Sequence, residues 1–566
     1  MNLDDFKKEV LENISKETKI QTSDLEKIIE KPNKQFGDLA LPCFIFAKKF
    51  KKDPKDIAEE IAKKIKKTNL IKKIEAKGPY VNFFADWEKL GNDIIETILK
   101  QKEEFGRCKK TGKKILVEHT SANPDGPLHL GHFRNSVLGD CISKILSFSG
   151  NDVKTESWVN DTGRQIAIAV YEYMKSDKKK PDKKSDWWVL DLYLKGNREI
   201  EKNPEIEDEI KDIIRRFESG DEDIRKKFLF ITEECIKGHK ETLNNLNIKI
   251  DNFFKESDSI FDGSVNKILE NVKKLPEGRV DGKRIWVDLK KFGIEREFTL
   301  TREDGTTIYS ARDLAYHEHK FRDADFNVNI IGTDQKFYFK QLKSVLSLLY
   351  PEKTKNYHIV FYEFLLLPEG TMSTRAGKFV SVDDVIMDAI KEAEKTVNEK
   401  MPDYPEELKK KIARVVGIGA LKYAMIKVSP EKTYAFNIKD TLKFEGDTAP
   451  YIQYTYARCK SILRKAKIAP KKFDVSDLKD EKEIDIIKKL AEFPETILKS
   501  AEDFRPHYIA NYLYDLATLF NEFYHKSPVI TADEKTKVAR LALVESVSII
   551  IKNGLNLLGI DVLEKM

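Results

Sequence analysis

The sequence is poor in cysteine and histidine and contains no long apolar run. Its five cysteines are odd in number and none forms a C-x-x-C pair, which argues against a disulfide framework and against a structural zinc site. No run of about 18 apolar residues is present, and the first residues, MNLDDFKKEV, lack the pattern of a secretory signal. We therefore expect a cytoplasmic protein with no membrane contact, no bound metal site and no structural zinc.

Neither sign of charge is in large excess. The chain has 101 Lys and Arg against 95 Asp and Glu, which gives a net charge of +6, so a basic surface for a polyanionic partner has to be local. With 566 residues, of which 40% are hydrophobic, the chain exceeds what one hydrophobic core usually organises. We expect about three or four domains.

The most informative segment is ANPDGPLHLGH, residues 122–132, which places two histidines three apart where a loop turns into a helix. Apolar spacing predicts the helix at 133–148, and apolar strands on either side, the second at 153–159, complete a βαβ unit. The free N–H groups and the dipole at such a helix start bind phosphate, and imidazoles add donors. We interpret His129 and His132 as catalytic residues of a nucleotide site.

An alternative is that the two histidines only cap the helix, which is the usual role of an isolated pair. With 9 His and 26 Gly in the chain, a chance His-x-Gly-His is expected roughly once in a hundred such sequences. We therefore favour the functional interpretation.

Patterns along the chain predict three units with one insertion. The fold class is α/β: an α+β N-terminal domain, a middle domain with a Rossmann-like parallel sheet, and an all-α C-terminal bundle. Their approximate bounds are 1–90, 110–390 and 400–566, with a charged helical insertion at about 165–297. In the first unit, strands are expected near residues 39–44 and 80–84.

Residues 129–132, HLGH, resemble the HIGH signature of class I aminoacyl-tRNA synthetases, which other nucleotidyl transferases share. Four later segments resemble arginyl-tRNA synthetases. They are DGTTIYSARDLAY (304–316), IIGTDQKFYFKQL (330–342), GTMSTRAGKF (370–379) and KFEGDTAPYIQYTYAR (443–458). The resemblance covers the chain from end to end, and the archaeal or bacterial type is the closer match.

This resemblance implies a reaction and its partners. The reaction is the ATP-dependent ligation of L-arginine to tRNA(Arg) through an arginyl-adenylate, with Mg²⁺-bound ATP as co-substrate. The N-terminal domain would contact tRNA, and the C-terminal bundle would bind the anticodon. We expect a monomer.

A pocket for free arginine needs carboxylates that pair with the guanidinium, together with flat or hydroxyl-bearing neighbours. Tyr309 and Asp313 lie four apart in a predicted helical stretch, 309–316, and so share one face. In an ordinary helix, such an aspartate would instead form a surface ion pair. The resemblance places the arginine side chain against these two residues, and Glu256 occupies another place where a carboxylate would help.

Loops at strand ends supply groups for the main-chain end of the amino acid. Ser121, Asn123 and Gln335 offer donors and acceptors there, and the resemblance adds His132. Glu118, in the strand before the loop, either orients Asn123 or contacts arginine directly. We favour the supporting role.

The resemblance assigns an ATP site to the loops of the sheet and to residues 370–379. The assigned residues are Gly126, His129, Gly131, His132, Gly332, Asp334, Met372 and Ser373. The later loop resembles the mobile KMSKS loop, but Thr371 and Thr374 stand at its two lysine positions. Arg375 or Lys378 would then act as the catalytic cation that neutralises the β- and γ-phosphates.

Aromatic side chains beside cations suit unstacked anticodon bases. Tyr451, Tyr454 and Arg458 form such a set in the helical C-terminal region, and the resemblance adds Met566 to these tRNA contacts. A tyrosine stripe in a bundle is otherwise more often core. Arg540 stands where the bundle of this family has its characteristic arginine.

Two other functions were weighed. A synthetase for another amino acid, such as cysteine, would need zinc ligands that five scattered cysteines do not supply. A non-catalytic tRNA-binding paralogue would keep the C-terminal aromatic residues and lose the histidines or Asp313, all of which are present. Only Thr371 and Thr374 favour that second alternative.

Overall fold

An antiparallel sheet with its helices forms the N-terminal part of the chain. The structure is a computed structural model that describes residues 3–176, 182–366, 380–467 and 472–566. The first elements are α1 (Leu3–Thr18), α2 (Thr22–Leu25), β1 (Leu39–Pro42), α3 (Ala47–Phe50), α4 (Pro54–Lys64), β2 (Ile71–Lys77), β3 (Tyr80–Ala85) and α5 (Trp87–Gln101). The strands are ordered β1-β3-β2, and β1 and β3 lie where strands were expected. Asp53 starts α4 by accepting a hydrogen bond from the backbone N–H of Lys55 at 2.8 Å.

The middle part contains the central sheet. Up to the end of the predicted insertion, its elements are β4 (Lys114–Glu118), α6 (Leu130–Phe148), β5 (Asp152–Val159), α7 (Arg164–Lys175), α8 (Ser185–Lys202), α9 (Ile206–Glu218), α10 (Glu222–Asn245), β6 (Asn252–Lys255), α11 (Glu256–Phe261), α12 (Ser264–Lys273), β7 (Gly278–Asp281) and β8 (Arg284–Val287). The elements that follow are β9 (Phe298–Thr299), α13 (Tyr309–Asp323), β10 (Phe326–Gly332), α14 (Lys336–Leu349), α15 (Pro351–Thr354), β11 (Tyr357–Tyr362) and β12 (Leu365–Leu366).

The central sheet has five strands in the order β11-β10-β4-β5-β6, and every neighbouring pair is parallel. This confirms the predicted parallel sheet. Because the carboxyl ends of parallel strands meet at one edge, the loops after β4, β5 and β10 converge there. That edge is where ligands bind in open α/β sheets.

The helix after the HIGH-like loop, α6, starts at Leu130, three residues before the predicted start at 133. His129 is its N-cap residue, and the Nδ1 atom of His129 accepts from the N–H of Gly131 at 3.1 Å. Apolar spacing alone marks Phe133 as the start, whereas the cap formed by His129 and His132 is the role that the alternative interpretation gave these two residues. The helix ends at Phe148, and Gly150 turns the chain with φ of +95°.

The segment predicted as a helical insertion at about 165–297 begins with four helices, α7 to α10, but is not helical throughout. Its second part contains β6, which pairs with β5 at the edge of the central sheet, and the antiparallel strands β7 and β8. Phe254 of β6 stacks near Trp158 of β5 at a centroid distance of 6.1 Å. The chain therefore returns to the central sheet well before residue 297.

The C-terminal part is a helical bundle, as predicted. Its elements are α16 (Val382–Lys400), α17 (Glu406–Ile426), β13 (Tyr434–Ala435), α18 (Ile438–Thr441), α19 (Ala449–Ala466), α20 (Glu481–Ala491), α21 (Phe493–Asp503), α22 (His507–Lys526) and α23 (Glu534–Leu557). Arg540 joins two of these helices through an ion pair with the buried Glu483 at 2.5 Å. The bundle also packs on α6, where buried Lys422 lies 3.3 Å from Asp140. In the part of the chain that the structure describes, no helix has the length and apolarity needed to cross a membrane.

Candidate active site

A cavity of about 580 Å³ opens at the carboxyl edge of the central sheet. Most of the predicted site residues line it: Glu118, Ser121, Asn123, His129, Gly131, His132, Glu256, Tyr309, Asp313, Gly332, Asp334 and Gln335. Met372, Ser373, Arg375 and Lys378 lie outside the described residues, as do Thr371 and Thr374. Residues far apart in the chain therefore meet in one space next to the start of α6.

The two histidines are stacked face to face at that helix start. Their ring centroids are 3.6 Å apart, with 20° between the planes. The Nδ1 atom of His129 accepts from the N–H of Gly131 at 3.1 Å, and the Nδ1 atom of His132 accepts from the N–H of His129 at 3.4 Å. Because both Nδ1 atoms are acceptors, a neutral ring carries its proton on Nε2.

Burial keeps both rings neutral. It lowers the pKa of His129 below its usual range, and it lowers the pKa of His132 well below that range, with His129 and His239 nearby adding to the effect. Two stacked imidazolium ions would repel each other, whereas two neutral rings present Nε2–H donors. Such donors suit charge that builds up on a transferring phosphoryl group.

The loop before α6 is held by α10, a contact that sequence analysis missed. His239 donates from Nε2 to the carbonyl oxygen of Gly126 at 2.7 Å, and burial lowers the pKa of His239 to about 4, so this ring is neutral as well. Thr242, one turn further along α10, donates to Asp383 at 2.9 Å. The same helix thus supports the HIGH-like loop and the start of α16, which follows residues 367–379.

Gly126 was predicted to contact ATP, but it does not line the cavity. Its carbonyl accepts from His239, and a Cβ at this position would lie 3.1 Å from Leu190. The backbone of Gly126 therefore faces the insertion helices. Gly131 and Gly332 do line the cavity.

Asp313 is an ionised carboxylate in a mostly buried position. Its Oδ2 atom accepts from the hydroxyl of Tyr338 at 2.7 Å, and its Oδ1 atom lies 3.0 Å from Nδ1 of His317. Burial alone would raise the pKa of Asp313, but His317, Tyr338 and Lys320 together outweigh it and bring the pKa below the usual value. The ring of Tyr309 lies 5.2 Å from that of Tyr338. A fixed negative charge beside two flat rings suits a planar cation.

Glu256 is a second carboxylate on the cavity wall and is only 1% exposed. Burial raises the pKa of Glu256 to about 7, against the opposing effect of Arg312, whose Nη1 atom donates to Oε1 of Glu256 at 3.0 Å. In the orientation of the Asn160 amide that gives its nitrogen hydrogen-bond acceptors, that nitrogen donates to Oε2 of Glu256 at 2.9 Å. Neither Arg312 nor Asn160 was identified from the sequence.

Glu118 lines the cavity, but its carboxylate is bound by other side chains of the protein. One of its oxygens accepts from Lys320 at 2.7 Å and from Asn329 at 2.8 Å, and the other accepts from the hydroxyl of Ser121 at 3.1 Å. Both oxygens are thus engaged inside the protein. It does not orient Asn123, whose amide donates to Gln165 at 3.2 Å. The sequence also gave no sign of Lys320, a lysine with no exposed side-chain surface.

Removing Lys320 is expected to destabilise the central sheet. In Lys320→Met, Glu118 would remain buried without its cation, which costs about 3–5 kcal/mol. Thermal unfolding of the variant should show a clearly lower midpoint for the part of the protein that contains the central sheet. The double variant Glu118→Leu/Lys320→Met removes both charges and should recover part of that loss. An unchanged midpoint in Lys320→Met would contradict this account of the pair.

A second cavity of about 820 Å³ lies in the helical bundle, and Tyr451, Tyr454, Arg458 and Met566 all line it. The guanidinium of Arg458 lies over the rings of Tyr454, at 5.0 Å, and Tyr524, at 4.8 Å. Tyr456, on the same helix as Tyr451 and Tyr454, is only 5% exposed, so the tyrosines of α19 are divided between cavity and core. A cation held between two aromatic faces is suited to stacking with nucleic-acid bases.

The described residues also lack the side-chain clusters that typically hold metal ions. Within residues 3–176, 182–366, 380–467 and 472–566, no group of three or more His, Cys, Asp or Glu side chains is arranged to hold a metal ion. The five cysteines are free thiols, and four of them are buried.

The parallel sheet, the HLGH residues at the start of α6 and the cavity at the carboxyl edge together define a class I tRNA synthetase catalytic domain. Residues 93–438 match the family model described as tRNA synthetases class I (R), catalytic domain. Residues 4–85 match the arginyl tRNA synthetase N terminal domain, and residues 452–566 match the DALR anticodon binding domain. The chain belongs to the arginyl-tRNA synthetase family.

Individual relatives agree over nearly the whole chain. A protein of Methanocaldococcus jannaschii named arginine–tRNA ligase is 41% identical over 552 residues, which cover 94% of this chain and 95% of that protein. A protein of Archaeoglobus fulgidus with the same name is 40% identical over 536 residues, again 94% and 95% of the two chains. The solved structure of Thermus thermophilus arginyl-tRNA synthetase covers 100% of both chains with a TM-score of 0.85 and 28% identity.

Proposed function

We propose that the protein is an arginine–tRNA ligase, which joins L-arginine to tRNA(Arg) with ATP and releases AMP and diphosphate. The observation that carries this proposal is the position of ionised Asp313, beside Tyr309 and Tyr338, in the same cavity as the two stacked histidines. One end of the cavity suits a guanidinium, and the other suits phosphate. Family membership adds the N-terminal and anticodon-binding domains.

In the first step, the arginine carboxylate attacks the α-phosphorus of Mg²⁺-bound ATP in line. A bond forms between the carboxylate oxygen and phosphorus, the bond to the bridging oxygen breaks, and diphosphate leaves. The substrate carboxylate is itself the nucleophile, so no side chain has to act as a strong base. The Nε2–H donors of His129 and His132 stabilise the negative charge that develops on the phosphoryl oxygens.

In the second step, a ribose hydroxyl at the 3′ end of tRNA attacks the arginyl carbonyl carbon and AMP leaves. Asp313 and Glu256 hold the guanidinium, and Tyr309 covers its face. The exposed amides of Asn123 and Gln335 are placed for the main-chain end of arginine, while Ser121 keeps the loop in shape, because its hydroxyl donates to Glu118 and accepts from the N–H of Trp158.

The remaining assignments follow from the same function. ATP lies against Gly131, Gly332 and Asp334, and Arg375 or Lys378 supplies the cation for its outer phosphates. Residues 1–90 contact tRNA, residues 110–390 carry out catalysis, and residues 400–566 bind the anticodon. We place the enzyme in the cytoplasm as a monomer.

The test is aminoacylation of unfractionated tRNA with radiolabelled arginine, lysine or cysteine in the presence of Mg²⁺ and ATP. Charging confined to arginine supports the proposal. Charging with lysine or cysteine would reassign the amino-acid pocket. Tight, salt-sensitive tRNA binding without any charging would instead identify a tRNA-binding paralogue, the alternative that Thr371 and Thr374 favour.

The cavity of the bundle leads to a prediction about tRNA. Arg458→Met removes the cation between Tyr454 and Tyr524, and loss of one stacking or phosphate contact costs about 1–3 kcal/mol. The KM for tRNA should rise roughly tenfold, while the KM for arginine stays unchanged. Lys535→Met, at an exposed lysine near the start of α23, is the matched control and should leave both constants as in the wild type. Equal effects of the two variants would mean that only the net charge of the bundle matters.

A further inference from the structure

Arg312 lies between Tyr309 and Asp313 in the sequence but does not line the cavity. It is 8% exposed, and its guanidinium contacts four residues from different parts of the chain. Nη1 donates to Glu256 and to the hydroxyl of Thr162, both at 3.0 Å. Nη2 donates to the carbonyl of Thr307 at 3.1 Å and to Glu218 at 3.3 Å. The protein therefore holds a guanidinium of its own directly behind Glu256.

The surroundings of Glu256 explain what this guanidinium does. Asp313 on α13 and Asp161 in the loop after β5 are both negative and, with burial, favour the protonated form of Glu256. Asn160 and Thr162, from the same loop as Asp161, are uncharged. Glu218, at the end of α9, forms an ion pair with Arg312, the cation that is bound to the Glu256 carboxylate. Among the residues that the structure describes, Arg312 is the cation paired with Glu256.

The two oxygens of Glu256 have different environments. Oε1 is taken by Arg312, while Oε2 is the oxygen on the side of Asn160. A carboxylate has about four acceptor positions, so Oε2 can accept from a second guanidinium while Oε1 stays bound.

We propose that Arg312 is a specificity-determining positioning residue, which favours the ionised form of Glu256 and leaves its second oxygen for the guanidinium of the arginine substrate. This inference rests on the proposed function, since it takes Glu256 to be a contact of the substrate side chain. Through Glu218, the same residue ties the last turn of α9, in the insertion, to the amino-acid pocket. Arg312 acts through Glu256 and touches neither ATP nor arginine.

The sign of the expected pH dependence follows from the environment of Glu256. Burial already raises the pKa of Glu256 to about 7 with Arg312 in place, so the KM for arginine in the wild type should fall as the pH rises through about 7. Without Arg312 the pKa of Glu256 rises further. The fall in KM should then occur at a higher pH.

The experiment measures the KM for arginine in aminoacylation from pH 6 to 8.5, with saturating ATP and tRNA. For Arg312→Met we expect a KM about fivefold above that of the wild type at pH 7 and nearly tenfold above it at pH 6, which corresponds to an upward shift of about one unit in the pKa of Glu256. The difference should shrink at pH 8.5, and kcat should change little. Glu256→Gln should give a high KM that does not vary with pH, and the double variant should match Glu256→Gln. Comparison at equal pH cancels any titration of the substrate.

Each failure has a distinct signature. A profile of Arg312→Met that matches the wild type, or a KM raised equally at every pH, overturns the inference, because a purely structural role would not move the profile along the pH axis. Arg312→Lys keeps a cation and should restore part of the low-pH affinity. If Arg312→Met does not fold, Arg312→Gln, which also lacks the charge, takes its place, and a profile of that variant that matches the wild type overturns the inference. An unchanged KM in Glu256→Gln would refute the role of Glu256 in the proposed function, and absence of arginine charging by the wild type would refute that function itself.

Discussion

Asp313→Asn is expected to lower kcat/KM for arginine by about 10³-fold, mainly through KM. The substitution keeps the shape of the side chain but removes the negative charge that faces the substrate guanidinium. Removing one partner of a desolvated, hydrogen-bonded ion pair costs about 2–5 kcal/mol, and each 1.4 kcal/mol corresponds to a factor of ten. Aminoacylation at varied arginine concentration, with ATP and tRNA saturating, gives the two constants separately.

Two further variants separate the charge of Asp313 from its support. Tyr338→Phe removes the hydroxyl that donates to Oδ2 of Asp313 at 2.7 Å, and should raise the KM for arginine much less, because the carboxylate remains. Asp323→Asn, at the exposed end of the same helix, is the matched control and should behave as the wild type. If Asp313→Asn lowered kcat and left KM unchanged, the assignment of the guanidinium to this end of the cavity would be wrong.

The parts of the site that sequence analysis predicted are those whose signals are local. The HLGH residues, the loop before them and the helix after them lie within one βαβ unit, where apolar spacing and loop composition mark each element. Tyr309 and Asp313 also belong together locally, since four residues of helix place them on one face. The observed helix, Tyr309–Asp323, is longer than the predicted stretch at 309–316 and keeps that relation.

The parts that were missed act through partners far away in the chain. His239 meets Gly126 across 113 residues, Lys320 meets Glu118 across 202, and Arg312 meets Glu256 across 56. A lysine or arginine on a helix is usually a surface residue, so no local pattern marks these cations as buried. The strand β6 was missed for another reason. Its four residues at the edge of the sheet are too few to show the alternating pattern of a strand, and they follow a run of charged helices.

Because Asp313 and the histidines lie at different ends of the cavity, we expect the histidines to affect kcat, whereas Asp313 affects the KM for arginine. His132→Asn removes the Nε2–H donor and should lower the kcat of adenylate formation by roughly 10²–10³-fold, the usual cost of removing one donor to developing charge. The KM for arginine should stay near the wild-type value, because Asp313 and Glu256 are untouched. Arginine-dependent exchange of diphosphate into ATP, measured with tRNA present, reports this step.

The length of the replacement side chain tests which nitrogen acts. In His132→Gln the amide nitrogen can reach the place of Nε2, whereas the amide nitrogen of asparagine reaches only the place of Nδ1, which in the native ring accepts from the N–H of His129. The glutamine variant should therefore keep more activity than the asparagine variant. Because burial lowers the pKa of His132 well below its usual range, the ring stays neutral and the wild-type kcat should show no histidine titration between pH 6.5 and 8.5. Equal losses of kcat in the two variants would mean that His132 contributes through the packing of the helix start. A wild-type kcat that fell as the His132 ring lost a proton between pH 6.5 and 8.5 would mean that an imidazolium acts at the phosphate.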